Sequence, residues 1–325
     1  MYIKSWCGNN GKIHQYKNLV QHENVPIWKA FSPKAIGYAK HLYVDTKSGN
    51  ANDDFENWFD LQFEYPAENA ISKVLKNTRL TKSDYEKLTN FFALQDLRTP
   101  KRFLEYLQRT NNSALNEIVQ NVIEDIQSPI PANYKSDLNT RFHDELPLKI
   151  LLKKDTDGFV VQASFLPGRA SWLWSIKQLL TGVAAELHKN SWTILHPADG
   201  QNWLTSDNPV LKLHYNDAQN YHFNGGWRSN DSEIMLPLGP RHLLYTKVGA
   251  FPPISRSTKL SIEETTNINQ LIAKNSYRFV IAIEPFEQIQ HYRARTIDRN
   301  KVEREKTEWA NFNNDQILAE KIFYK

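Results

Sequence analysis

The chain reads as an α+β protein, with an N-terminal hairpin and a helical bundle packed on a C-terminal, mostly antiparallel sheet. Three observations predict this. Between about residues 50 and 187 apolar residues recur every three or four positions, the period of one helix face. From about 190 to 285 they alternate at two, with turn residues between the runs. The two regimes follow one another along the chain, which separates α+β from a doubly wound α/β order.

The elements justify themselves in turn. Tyr2, Ile3 and Trp6 lead into Gly8-Asn9-Asn10-Gly11, and Ile13 and Tyr16 follow, as in a hairpin whose turn tolerates positive φ. The loop-rich stretch from Phe31 to Tyr38 ends at the apolar run Leu42-Tyr43-Val44. Phe55, Trp58, Phe59 and Gln62 then share a helical face, and Pro66 suits the first turn of the next helix, faced by Ala67, Ala70, Ile71, Val74 and Leu75. Thr81 and Asp84 form a capping box before the stripe Tyr85, Leu88, Phe91, Phe92 and Leu94. Thr99-Pro100 opens a further helix on Phe103, Leu104 and Leu107, and helical segments are expected over about 114–127 and 169–187. Strands follow around Trp192–His196, Val210–Leu213, Ile234–Leu238 and Leu243–Tyr245, with a helix at about 260–275 and a last strand from Tyr277 to Ile283. Residues 1–290 are expected to form one domain and 291–325 a polar helical extension.

Composition narrows the function classes. A length of 325 residues is enough for a proper core, and the single Cys7 excludes a disulfide framework and a cysteine-rich zinc site. No apolar run approaches the ~20 residues of a membrane span, and no secretory signal opens the chain. A cytoplasmic location without membrane contact is the expectation. The net charge of +4 does not by itself imply nucleic acid. The ten histidines include no HExxH, and no P-loop, GxGxxG or GxSxG occurs, so no dedicated metal site is expected.

Polar residues in apolar settings are the informative ones. Gln95 and Arg98 continue the Phe91 stripe, so Arg98 projects to the core side and needs a carboxylate or several carbonyls, Glu64 and Glu68 being the candidate carboxylates. Ser206, Asp207 and Asn208 sit where an apolar strand end meets Pro209, a layout shared by turns and by active sites. Trp227, beside Gly225-Gly226 and Arg228, and Tyr221-His222-Phe223 are candidates for an exposed contact loop. The basic run Arg293, Arg295, Arg299, Lys301, Arg304 and Lys306 is interspersed with acids, which favours a solvated helix face over a phosphate track.

Several of these stretches together resemble the bacterial domain-of-unknown-function family numbered 4238. They are Tyr2 to Cys7, Phe31-Ser32-Pro33-Lys34 with Ile36-Gly37, Leu42-Tyr43, and Phe91 to Leu94 with Gln95-x-x-Arg98-Thr99-Pro100. Thr205 to Val210, Pro237 to Pro240 and Asn269 to Arg278 complete the set. The resemblance spans roughly residues 1–285. One departure is that members usually carry a His-His-Tyr-x-Pro element just before the Tyr-x-x-x-Trp stretch, whereas this chain starts at Met1 inside it. The chain is therefore expected either to lack the chemistry of those histidines or to be truncated. The resemblance singles out Glu64, Gln95, Arg98 and Asp207 as a group without naming a reaction.

The expected function is hydrolysis of a phosphodiester or other anionic substrate, as in a nuclease-like toxin or antiphage effector. Arg98 would neutralise charge and Asp207 or Glu64 would act as base or metal ligand. Gln95 or Asn208 would orient water, and Ser206, Asn208 and Trp227 would hold substrate. Mg²⁺ or Mn²⁺ is the cofactor such chemistry would use. The alternatives are a non-catalytic module that binds nucleic acid or a partner protein, and a purely structural polar set.

Overall fold

The computed structural model describes residues 2–35, 54–110, 147–155, 158–217, 220–250 and 257–324. The expected run Leu42–Val44 and helical segment 114–127 lie outside the described residues.

The chain opens with a 3-10 turn over Tyr2–Trp6, where the sequence suggested the first strand of a hairpin. The Gly8–Gly11 turn does close, Gly11 N donating to Gly8 O at 2.9 Å. The strand beyond it, β1 (Ile13–Lys17), has both edges taken, by β3 (Trp28–Phe31) and by a strand more than 260 residues later. Tyr2–Trp6 is left no edge to pair with, and it turns inward instead.

Between β1 and β3 lies the short β2 (Leu19–Val20). The helical layer begins with α1 (Asp54–Phe59), a π-helical turn over Asp60–Glu64, and α2 (Tyr65–Leu75), with Pro66 in its first turn. Next comes α3 (Lys82–Leu97), capped as expected: Asp84 N donates to Thr81 Oγ1 and Thr81 N to Asp84 Oδ2 at 2.8 Å. In α4 (Pro100–Thr110), Arg102 N donates to Thr99 Oγ1 at 3.2 Å. An antiparallel hairpin, β4 (Leu148–Asp155) with β5 (Gly158–Phe165), interrupts the region read as helical, and α5 (Arg169–Gln178) then continues through π and 3-10 turns to Lys189.

The remaining elements are β6 (Thr193–Leu195), β7 (Thr205–Ser206), β8 (Leu211–Tyr215), β9 (Tyr221–His222), β10 (Glu233–Gly239) and β11 (His242–Lys247). After them come α6 (Ile262–Asn275), β12 (Phe279–Ala282), α7 (Ile289–Tyr292), β13 (Thr296–Ile297) and α8 (Arg299–Phe323). They form one sheet in the order β6-β11-β10-β8-β9 and another in the order β3-β1-β12-β7, both antiparallel, with β13 paired parallel to β2. The fold is α+β.

The five-stranded sheet is buried on both faces. Ile234, Leu236, Leu238 and Leu244 join the core shared with Phe91, Phe92 and Trp6, while Met235, Leu243 and Tyr245 join a second core with Tyr16, Trp203, Ile272 and Val280. Helices therefore cover one face and the four-stranded sheet with α6 covers the other, which is why β10 and β11 read as almost continuous apolar runs. Among the described residues no helix is long and apolar enough to cross a membrane.

Candidate functional site

Along α3, Phe91, Gln95 and Arg98 succeed one another at four and three residues, so they line one face. Arg98 ends the helix as its C-cap and pairs with Glu64, which the π-helical turn before α2 presents. Of the two carboxylates expected for Arg98, Glu64 is thus the partner; both ends of the pair keep some solvent contact. Gln95 is 4% exposed, and its Nε2 is buried without a hydrogen-bond acceptor.

Tyr2 reaches this face from the 3-10 turn. Its ring lies 5.9 Å from that of Phe91, its hydroxyl donates to Pro237 O at 2.6 Å, and it shares a 2.7 Å bond with Thr205 Oγ1. Burial raises the phenol pKa, against the Thr205 hydroxyl and the Arg98 charge. The role of the Tyr2 hydroxyl is not legible in the sequence, because its partners Thr205 and Pro237 lie 203 and 235 residues away.

Thr205 continues into the second motif. Asp207 stands half-buried just past β7, its Oδ1 accepting from Tyr277 N at 2.9 Å and its Oδ2 from Arg278 N at 2.7 Å. Burial pushes its carboxyl up to about 6, while the amide donors and the Arg278 charge pull the other way. The Ser206 hydroxyl accepts from Asn208 N at 3.2 Å. Asn208 Oδ1 accepts from Thr99 Oγ1 at 3.2 Å, so the Arg98-Thr99-Pro100 and Thr205–Asn208 motifs touch. Asn208 and Asn275 exchange amide-to-carbonyl bonds of 3.1 Å in both directions, and Lys101 Nζ donates to Asn275 Oδ1 at 3.1 Å. Burial lowers the Lys101 pKa, and the charge of Asp207 acts on it from across the seam.

The seam therefore joins Glu64, Gln95 and Arg98 through Tyr2 and Thr99 to Ser206, Asp207 and Asn208, with Lys101 and Asn275 as members the sequence did not reveal. Trp227 is not on it. Its indole is half-buried and donates inward to Asp96 Oδ2 at 2.9 Å, which corrects the expectation of an exposed contact. The basic run after residue 290 is also largely engaged: Arg293 donates to Lys274 O, Arg295 to Val25 O at 2.9 Å, and Lys306 pairs with Glu303 at 3.0 Å. A groove of about 280 Å³ between Thr81, Tyr85, His188 and Trp192 contains none of the seam residues. Among the described residues no three His, Cys, Asp or Glu side chains lie together as a metal would need.

A family model described as a protein of unknown function (DUF4238) matches residues 1–284, so the chain belongs to that family. No curated protein and no solved structure matches it.

Proposed function

We propose that this family member hydrolyses a phosphodiester or related anionic substrate at the seam between the two motifs. The observation that carries the reading is Asp207, a half-buried carboxyl held by two backbone amides, whose charge acts on Lys101 across the seam. A carboxyl pushed up to about 6 is matched to taking a proton near neutral pH. In this reading Asp207 takes a proton from water as the water oxygen bonds to phosphorus. The bond from phosphorus to the leaving oxygen breaks, and Lys101, its pKa lowered by burial, returns a proton to that oxygen. Arg98, braced by Glu64, answers the phosphate charge, and the unmet Gln95 amide is a donor for a substrate or water oxygen. Glu64, already engaged by Arg98, leaves the base role to Asp207. No step runs through Mg²⁺ or Mn²⁺, since the seam offers Asp207 and Glu64 but no third carboxylate or imidazole among the described residues. A cytoplasmic nuclease-like toxin or antiphage effector is the setting this chemistry suits.

The test is cleavage of single- and double-stranded DNA, RNA and a chromogenic phosphodiester, with Mg²⁺, with Mn²⁺ and with EDTA. Asp207→Asn should lower turnover by about 10²–10⁴-fold, the usual worth of a general base, with the fold retained by circular dichroism. Arg98→Gln should lose activity as well. Salt-sensitive nucleic-acid binding without cleavage, unaffected by either change, would replace this reading with a binding module.

A further inference from the structure

We infer that Tyr2 is a positioning residue for the proposed site, acting through the β7 segment that leads into Asp207; this rests on the hydrolase reading above. The 3-10 turn holds the Trp203–Thr205 segment at two points. Trp6 Nε1 donates to Trp203 O at 3.1 Å, and the Tyr2 hydroxyl bonds Thr205 Oγ1 at 2.7 Å. Both side chains are buried. Asp207 follows two residues after Thr205, and β7 itself is only two residues long, paired to β12 at Ser206 and Thr205. So short a ladder leaves much of the segment's placement to side-chain bonds. On the helical side, the Tyr2 ring touches Phe91 while its phenol feels Arg98, and Gln95 lies between those two on the same face. Tyr2 thus packs by its ring on the face of α3 that bears the unmet Gln95 amide, while its hydroxyl ties Thr205 of the second motif to Pro237 on β10.

Tyr2→Phe keeps the ring packing on Phe91 and Trp6 and removes only that tie. Hydrogen exchange over 203–208 should speed up about tenfold, the scale of one lost buried hydrogen bond, while β11 stays unmoved. On whichever phosphodiester the wild type turns over, kcat should fall about tenfold with KM unchanged, as expected when reacting groups are misplaced without loss of binding. Thr205→Val removes the same bond from the other side. It should give the same loss, with no further loss in the double variant, and it stands in if Tyr2→Phe fails to fold. Unchanged exchange over 203–208 overturns the inference, and so does faster exchange with undiminished kcat, which would leave the bond merely structural. A wild type that turns over nothing on the panel sinks the hydrolase reading and this inference with it. An active wild type with an equally active Tyr2→Phe sinks this inference alone.

Discussion

Both oxygens of Asp96 are taken twice: Oδ1 by Arg102 Nε and Nη2 at 3.0 and 2.8 Å, Oδ2 by Lys212 Nζ at 2.7 Å and Trp227 Nε1 at 2.9 Å. Two cations and an indole from three separate segments converge on one buried carboxylate. Asp96→Asn should therefore cost about 3–5 kcal/mol in urea unfolding, because it leaves buried cations without their counter-charge. A loss below about 1 kcal/mol would show that water already reaches the cluster. Asp96 was not legible in the sequence because Lys212 and Trp227 lie 116 and 131 residues away. Arg98 was legible, since a cation on an apolar stripe announces its own need for a partner. At the capping box, burial alone would raise the Asp84 carboxyl, but the Thr81 N–H and hydroxyl and Lys73 hold it down at about 2. Its contribution is then present above the ordinary carboxylate range and lost as pH falls towards 2. Lys73 is partly exposed, so after screening that contribution is about 1 kcal/mol. Denaturant unfolding of Asp84→Asn and wild type should differ by this amount at pH 7 and converge near pH 2.

The elements whose boundaries could be read are those fixed by neighbouring residues. The Thr81–Asp84 box and the Thr99-Pro100 cap define the starts of α3 and α4 within three residues of sequence. The 3-10 turn at the N-terminus could not be read, since its shape follows from the filling of β1's second edge by β12. The β4–β5 hairpin left a readable trace, with Leu148, Ile150 and Leu152 alternating before Gly158, but the helical periods on either side obscured it. How α8 attaches was equally hidden. Arg169, at the start of α5, meets Glu320 through a buried fork, Nε to Oε1 at 3.0 Å and Nη2 to Oε2 at 2.7 Å. Gln316 Oε1 accepts from Arg169 N at 2.9 Å, one helical turn earlier. Phe103 meets Trp309 and Phe312 on the same helix, so an apolar contact and a buried ion pair dock α8 together. Glu320→Gln should destabilise by about 3–5 kcal/mol, as removal of one side of a buried pair does, and should make α8 the first site of limited proteolysis. Unchanged proteolysis there would show that the aromatic contact alone holds the helix.

Across the whole molecule two distant groups set opposite pH slopes. His242 on β11 is buried, its Nε2 bonded to Asn77 Oδ1 at 2.9 Å, and burial with the charges of His196 and Arg241 lowers its pKa from 6.5 to about 4. Between those values the unfolded chain binds the proton and the folded protein does not, so this stability is full above about 6.5 and is lost as pH falls towards 4. Asp207 behaves inversely. Its carboxyl rises from 3.8 to about 6, so the folded state holds the proton more tightly, and this contribution is present at low pH and lost as pH rises through 6. At 1.36 kcal/mol per pKa unit each term is at most about 3 kcal/mol, and over pH 4 to 6 they oppose one another. The wild type should therefore show nearly level unfolding free energy across that window. Asp207→Asn keeps an oxygen for only one of the Tyr277 and Arg278 amides, so it lowers stability at every pH, but it also removes one titrating term, and stability should then climb from pH 4 to 6.5. His242→Gln, which keeps a donor for Asn77, removes the other, and stability should instead decline from pH 4 to 6. Urea unfolding of the three proteins at pH 4, 5 and 6.5 distinguishes these curves. If Asp207→Asn followed the wild-type profile, the carboxyl would be ionised throughout the window, and its assignment as a base that takes a proton near neutrality would fall with it.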